Sequence, residues 1–154
     1  MARALACLLI AAAVGIGLAV TASATPGASC RPTVSDGAGP FEQNAIATPR
    51  RGKIGRGHVL FGRVLAPDCT PVARALVYFW QAGPNGYTRR GRGSVLTNRD
   101  GRFRFEGPVP TSYGREPHIH IAVVHPLYED LLTRYVVRPG AKTGRIRLVL
   151  TPLL

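Results

Sequence analysis

The chain has 154 residues, 45% of them hydrophobic, which provides for one ordinary core and excludes two well-formed domains. Its formal net charge is +12 at pH 7, nearly all of it arginine, a balance that draws in nucleic acids, anionic polymers or acidic small substrates. The basic residues nevertheless fall in short loop-like clusters, Arg50-Arg51-Gly52-Lys53 and Arg89-Arg90-Gly91-Arg92, so a solvated basic surface is expected and no nucleic-acid partner.

In chain order, a positive start at Arg3 precedes an apolar run from Ala4 to Val20 and the small residues Ala22-Ser23-Ala24. This pattern predicts a secretory signal peptide over 1–24, cleaved after Ala24, and hence a secreted, extracytoplasmic protein. The run is short for a span of about 30 Å of hydrocarbon, and no positive stop-transfer cluster closely follows it, so no stable membrane insertion is expected after cleavage. Cys7 would leave with the leader, and Cys30 and Cys69 would remain in an oxidising compartment, where two thiols suggest one disulfide. The rival reading makes Cys30 a lipidated N-terminus, but Gly27 stands where a bulky aliphatic residue is usual.

Residues 25–56 are rich in Pro, Gly, Ser and Thr without a sustained apolar period, and are read as an extended N-terminal arm. The core is expected over 57–154. Short apolar or alternating runs follow between turn signals: His58 to Ala66, Ala73 to Gln81, Arg102 to Phe105, His118 to His125, Leu132 to Val137 and Arg145 to Leu150. Such spacing predicts an all-β, antiparallel sandwich, with Leu127 to Thr133 offering room for one short helical turn. Phe103 and Phe105 would share one strand face and Arg102 and Arg104 the other.

The segment Pro117-His118-Ile119-His120-Ile121-Ala122-Val123-Val124-His125 is β-branched enough to be a strand, which projects His118 and His120 from one face. One strand can thus supply two imidazole ligands to a single metal, although paired histidines on a solvated strand need bind nothing. Upstream lie Tyr87 and Tyr113, both in turn-rich stretches, where an aromatic residue is less easily explained as core. Phenolate is a hard anionic ligand, and two phenolates with two imidazoles suit ferric iron better than zinc.

These residues resemble the intradiol ring-cleavage dioxygenases, the family of catechol and protocatechuate dioxygenases. The resemblance runs from Gly39-Pro40-Phe41 through Gly62-Arg63-Val64, Pro71-Val72 to Trp80 and Gly86-Tyr87, then Arg92-Gly93, Asp100 to Phe105 and Pro110 to Tyr113. It ends in Arg115, His118, His120 and Leu132-Thr133, and the order Tyr, Tyr, Arg-x-x-His-x-His is its specific part. The resemblance implies a prealbumin-like sandwich with a mononuclear Fe(III) centre held by Tyr87, Tyr113, His118 and His120. It implies that Tyr113 takes a proton from a catechol-type substrate and leaves the iron, and that Arg115 stabilises negative charge on the activated ring. The partners implied are a small aromatic diol and dioxygen, and the products are muconate-type diacids. The family's usual Thr-Gln pair stands here as Thr133-Arg134, which puts a charge beside the site and leaves substrate preference open. Two other classes compete: a non-catalytic sandwich binding module, which has no reason to keep both tyrosines and both histidines, and a zinc hydrolase, for which Glu116 is the only obvious nearby acid.

Overall fold

The structure, a computed structural model, describes residues 29–36, 51–112 and 114–154. The leader, Ala24, Phe41 and Tyr113 lie outside the described residues.

Among the described residues every regular element is a strand: β1 (His58–Leu65), β2 (Leu76–Gly83), β3 (Gly86–Leu96), β4 (Arg102–Gly107), β5 (His118–His125), β6 (Tyr128–Val136) and β7 (Thr143–Val149). They form a three-stranded sheet, β4-β1-β7, and a four-stranded sheet, β3-β2-β5-β6. The period-two alternation explains why the sheets face each other: Leu60 and Val64 of β1, Phe103 and Phe105 of β4, and Ile119, Ile121 and Val123 of β5 are buried in one cluster between them. Phe79 of β2 stacks on Phe105 at 4.3 Å between ring centroids and joins the two layers.

The all-β sandwich is as expected, with four corrections. β1 and β7 pair in parallel, the other pairs being antiparallel. Arg89-Arg90-Gly91-Arg92 belongs to β3, not to a loop. Tyr87 is likewise the second residue of β3. The stretch Leu127 to Thr133 makes no helical turn, because β6 begins at Tyr128 and pairs back to β5 through His125–Tyr128.

The expected disulfide joins Cys30 to Cys69, with the Cα atoms 5.2 Å apart. Cys69 sits in the turn after β1, where Asp68 Oδ1 accepts hydrogen bonds from Thr70 N at 3.0 Å and Thr70 Oγ1 at 2.6 Å. From Cys30 the arm follows the edge of the sandwich. Thr33 exchanges hydrogen bonds with Val149 at 2.9 Å each way, and Asp36 N donates to the Leu132 carbonyl at 2.8 Å. Arm residues thus contact the three-stranded sheet at β7 and the four-stranded sheet at β6.

Candidate metal centre

Ile119 and Ile121 point into the core, so the pleat sends His118, His120 and Ala122 to the outer face of the four-stranded sheet. An outer face ordinarily meets water, yet His118 and His120 are only 6% and 8% exposed. Trp80 of β2, in register with His120, lies parallel to its imidazole at 5.0 Å between centroids and 5° between planes. On the other flank His120 pairs with Arg134 of β6, whose Nε stands 3.0 Å from Asp36 Oδ2 of the arm.

Tyr87 reaches the same place from β3. The hairpin turns through Pro84 and Asn85 and ends at Gly86, whose φ of 73° is a left-handed value that glycine adopts without cost. Ala82 of β2 then pairs with Tyr87, while Trp80 pairs with Arg92, so residues 88–91 of β3 bulge opposite Gln81 alone. Gly91 is needed in that bulge, since a Cβ there would stand 2.6 Å from the Gln81 carbonyl oxygen. β2 lies between β3 and β5, so the Tyr87 ring crosses it over Ala82, a side chain small enough to leave the path open.

The result is a convergence of three donor atoms. Tyr87 Oη is 3.0 Å from His120 Nε2 and 3.3 Å from His118 Nε2, and the two Nε2 atoms are 3.0 Å apart. His118 Nδ1 lies 2.6 Å from the Glu116 carbonyl oxygen and must donate to it, so in the neutral ring Nε2 presents a lone pair to the other two atoms. Burial first, then the coulombic effects of His118 and Arg134, push the His120 pKa down to about 4 against a smaller opposing pull from Asp36, which keeps that ring neutral near pH 7. Hydrogen bonds among three such atoms leave lone pairs facing one another. A cation resolves this, because ligand bonds of about 2.1 Å at about 90 to 110° put donors about 3.0 to 3.4 Å apart. Two imidazoles and a phenolic oxygen fit a hard trivalent ion such as Fe(III).

The other site residues fall as follows. Tyr113 lies outside the described residues, but Thr111 N donates to the Ala82 carbonyl at 2.9 Å, which ties its segment to the strand that Tyr87 crosses. Gln81 Nε2 adds a second tie, to the Pro108 carbonyl at 2.7 Å. Arg115 is exposed in the loop before β5, its carbonyl accepting from Ser112 Oγ at 2.6 Å. Glu116 contributes a backbone carbonyl and is itself exposed. Sequence reasoning did not anticipate three supports: the Trp80 stack, the Ala82 gap and the Asp36–Arg134 pair. The first two could have been read from an aromatic and a small residue two apart on one strand. The third needed the path of the arm.

No protein-family model matches the chain. It is 33% identical over 119 residues to the 6-chlorohydroxyquinol 1,2-dioxygenase of Cupriavidus pinatubonensis, with 59% of this chain and 43% of that protein covered. A putative dioxygenase of Rickettsia bellii is 30% identical over 120 residues, with 61% and 58% covered. The chain thus spans about half the length of the curated relatives it matches. Among solved structures, the dioxygenase domain of a carbohydrate-binding fusion protein from Streptomyces sp. SirexAA-E superimposes with a TM-score of 0.68 at 22% identity, over 80% of this chain and all of that one. These relatives bear out the resemblance to the intradiol dioxygenases, and the superposition bears out the fold.

Proposed function

We propose that the chain binds one ferric ion through Tyr87, Tyr113, His118 and His120 and cleaves catechol-type rings with dioxygen between the two hydroxyl-bearing carbons, giving muconate-type diacids. The observation that carries this reading is the convergence of Tyr87 Oη and the two Nε2 atoms within 3.3 Å of one another. Bound ferric iron would supply the Lewis acidity that deprotonates a chelating catechol and makes its ring carbon reactive toward dioxygen. The protein's own residues do the rest. His118 is aimed by the Glu116 carbonyl, and the Trp80 face holds the His120 ring and keeps water from that side. Tyr113 Oη is the acceptor for one substrate proton. Arg115, free of acidic partners among the described residues, turns its guanidinium to the charge that develops on the ring.

Secretion belongs to the same reading, and the Cys30–Cys69 bridge is in keeping with an oxidising compartment. The test is spectroscopic and then catalytic. Protein purified in air and reconstituted with iron should be red-brown from tyrosinate-to-iron charge transfer, and should convert catechol or hydroxyquinol to a product absorbing as a muconate. A colourless protein with no ring cleavage would refute the proposal.

A further inference from the structure

The outer face of the three-stranded sheet carries an arrangement that the ring-cleaving site does not use. Leu60 and Val64 of β1 point inward, so Phe61 and Arg63 point out, and both are exposed. The registers place Arg63 directly opposite Arg102 of β4 and Arg147 of β7, which makes a rung of three arginines across three strands. Two residues along, Arg104, Phe61 and Arg145 form a second row. With strands about 4.8 Å apart and about 6.8 Å between same-face residues, five guanidinium stems rise from a patch of about 10 by 7 Å.

Like charges directly opposite one another on a sheet are destabilising, so such a rung is not what folding alone would place there. Among the described residues little relieves it. Arg104 pairs with Glu106 at 2.7 Å, Arg63 Nε donates to the Asp100 carbonyl at 3.0 Å, and Arg145 covers the Phe61 ring at 5.6 Å. Among the described residues no carboxylate pairs with Arg63, Arg102, Arg145 or Arg147. A shallow cleft of about 310 Å³ runs between Phe61, Arg63, Arg102 and Arg145.

We infer that this face binds a linear polyanion, and specifically a carboxylated polysaccharide. A row of guanidinium forks matches planar carboxylates repeated along a chain, whereas one small anion would neutralise one fork and leave its neighbours opposed. Single-stranded nucleic acid is less well served, because its bases need open aromatic faces and Phe61 is covered by Arg145. Duplex recognition would need a helix or ribbon to enter a groove, which a flat three-stranded face does not offer. The choice of a polysaccharide also rests on the proposed export of the chain. The metal centre lies on the opposite outer face, so a polymer held here would leave it open.

The experiment measures binding of the full chain to polygalacturonate, to neutral amylose and to duplex DNA at matched charge concentration. The parent should bind polygalacturonate, release it as salt rises, and ignore amylose. Arg63→Gln/Arg102→Gln/Arg147→Gln should weaken binding by about tenfold or more, while the charge-matched Arg56→Gln/Arg89→Gln/Arg90→Gln should stay within about threefold of the parent. The rung variant should unfold at the same or a higher temperature, since it removes opposed charges; Arg63→Gln alone is the fallback if the triple variant does not fold. Equal losses in both triple variants would reduce the effect to net charge and overturn the proposal. So would tighter binding of duplex DNA through the same rung, or no binding of polygalacturonate. None of these outcomes depends on iron or on ring cleavage.

Discussion

On the outer face of the four-stranded sheet two imidazoles are buried, His118 and His120, the latter stacked on Trp80 and beside the Asp36–Arg134 pair; on the outer face of the three-stranded sheet five arginines stand in water in two rows. Both faces are built by the same alternation around one apolar core. What separates them is cover. A covered face can hold an imidazole such as His120 neutral beside another, because burial disfavours the charged ring. A bare face leaves its side chains in water and available to a large partner. A sandwich spends its inner faces on the core, so chemistry and recognition are left to the two outer ones.

The contrast can be broken most severely at the donors. His120→Ala or Tyr87→Phe should leave the folded protein with almost no iron and no colour, whereas Tyr113→Phe should retain some iron and slow substrate chelation. Metal content per chain measures this, and equal content in the Tyr87 and Tyr113 variants would contradict the separate roles. Next comes the cover itself. Cys30→Ser with Cys69→Ser releases a loop spanning 39 residues and should cost about 4 kcal/mol on the chain-entropy view, read as a lower denaturant midpoint in the oxidised protein. A change under about 1 kcal/mol would mean that the arm is held by its hydrogen bonds alone.

Arg115→Leu sharpens the comparison by testing an exposed arginine that the proposed reading assigns to the covered face. It should raise the barrier by about 2.7 to 4 kcal/mol, lowering turnover a hundredfold or more, while iron content and the spectral response to catechol persist. Unchanged turnover would assign Arg115 to the solvated surface. Ala82→Leu is the mildest, costing about 1 to 3 kcal/mol from overpacking in the path of the Tyr87 ring. Its signature should be a weakened tyrosinate band, with the nearly iron-free His120 variant as the reference; an unaltered band would show that Tyr87 does not need the gap.

Much of this was legible beforehand where local pattern and tertiary role agree. The bounds of β5 can be read from the sequence because a β-branched run between Pro117 and Pro126 has few other ways to fold. β3 is not legible locally because Thr88-Arg89-Arg90-Gly91-Arg92-Gly93 has no apolar alternation, and it becomes a strand through pairing with β2, not through burial of its own. The pairing of Arg102 with Arg104 on one face could be read locally. That Arg63, Arg102 and Arg147 form one rung depends on the register of three distant segments, one of them parallel, which no local pattern encodes. Arg134 stood out as a charge in an unexpected place; its compensation by Asp36 was hidden because 98 positions of sequence separate the two residues.

That separation also orders events in time. The bond from Thr33 to Val149 spans 116 positions and that from Ser35 to Leu132 spans 97, so the arm has nowhere to dock until nearly the whole chain is available. Contacts so distant in sequence bring late closure, after the loops between them have already been restrained by other pairings. The β2-β3 hairpin and the β2-β5 pairing that gather Tyr87, His118 and His120 need only the middle of the chain. The three donors can therefore meet before the arm docks on β6 and β7, and an ion held as proposed would have its widest access during assembly.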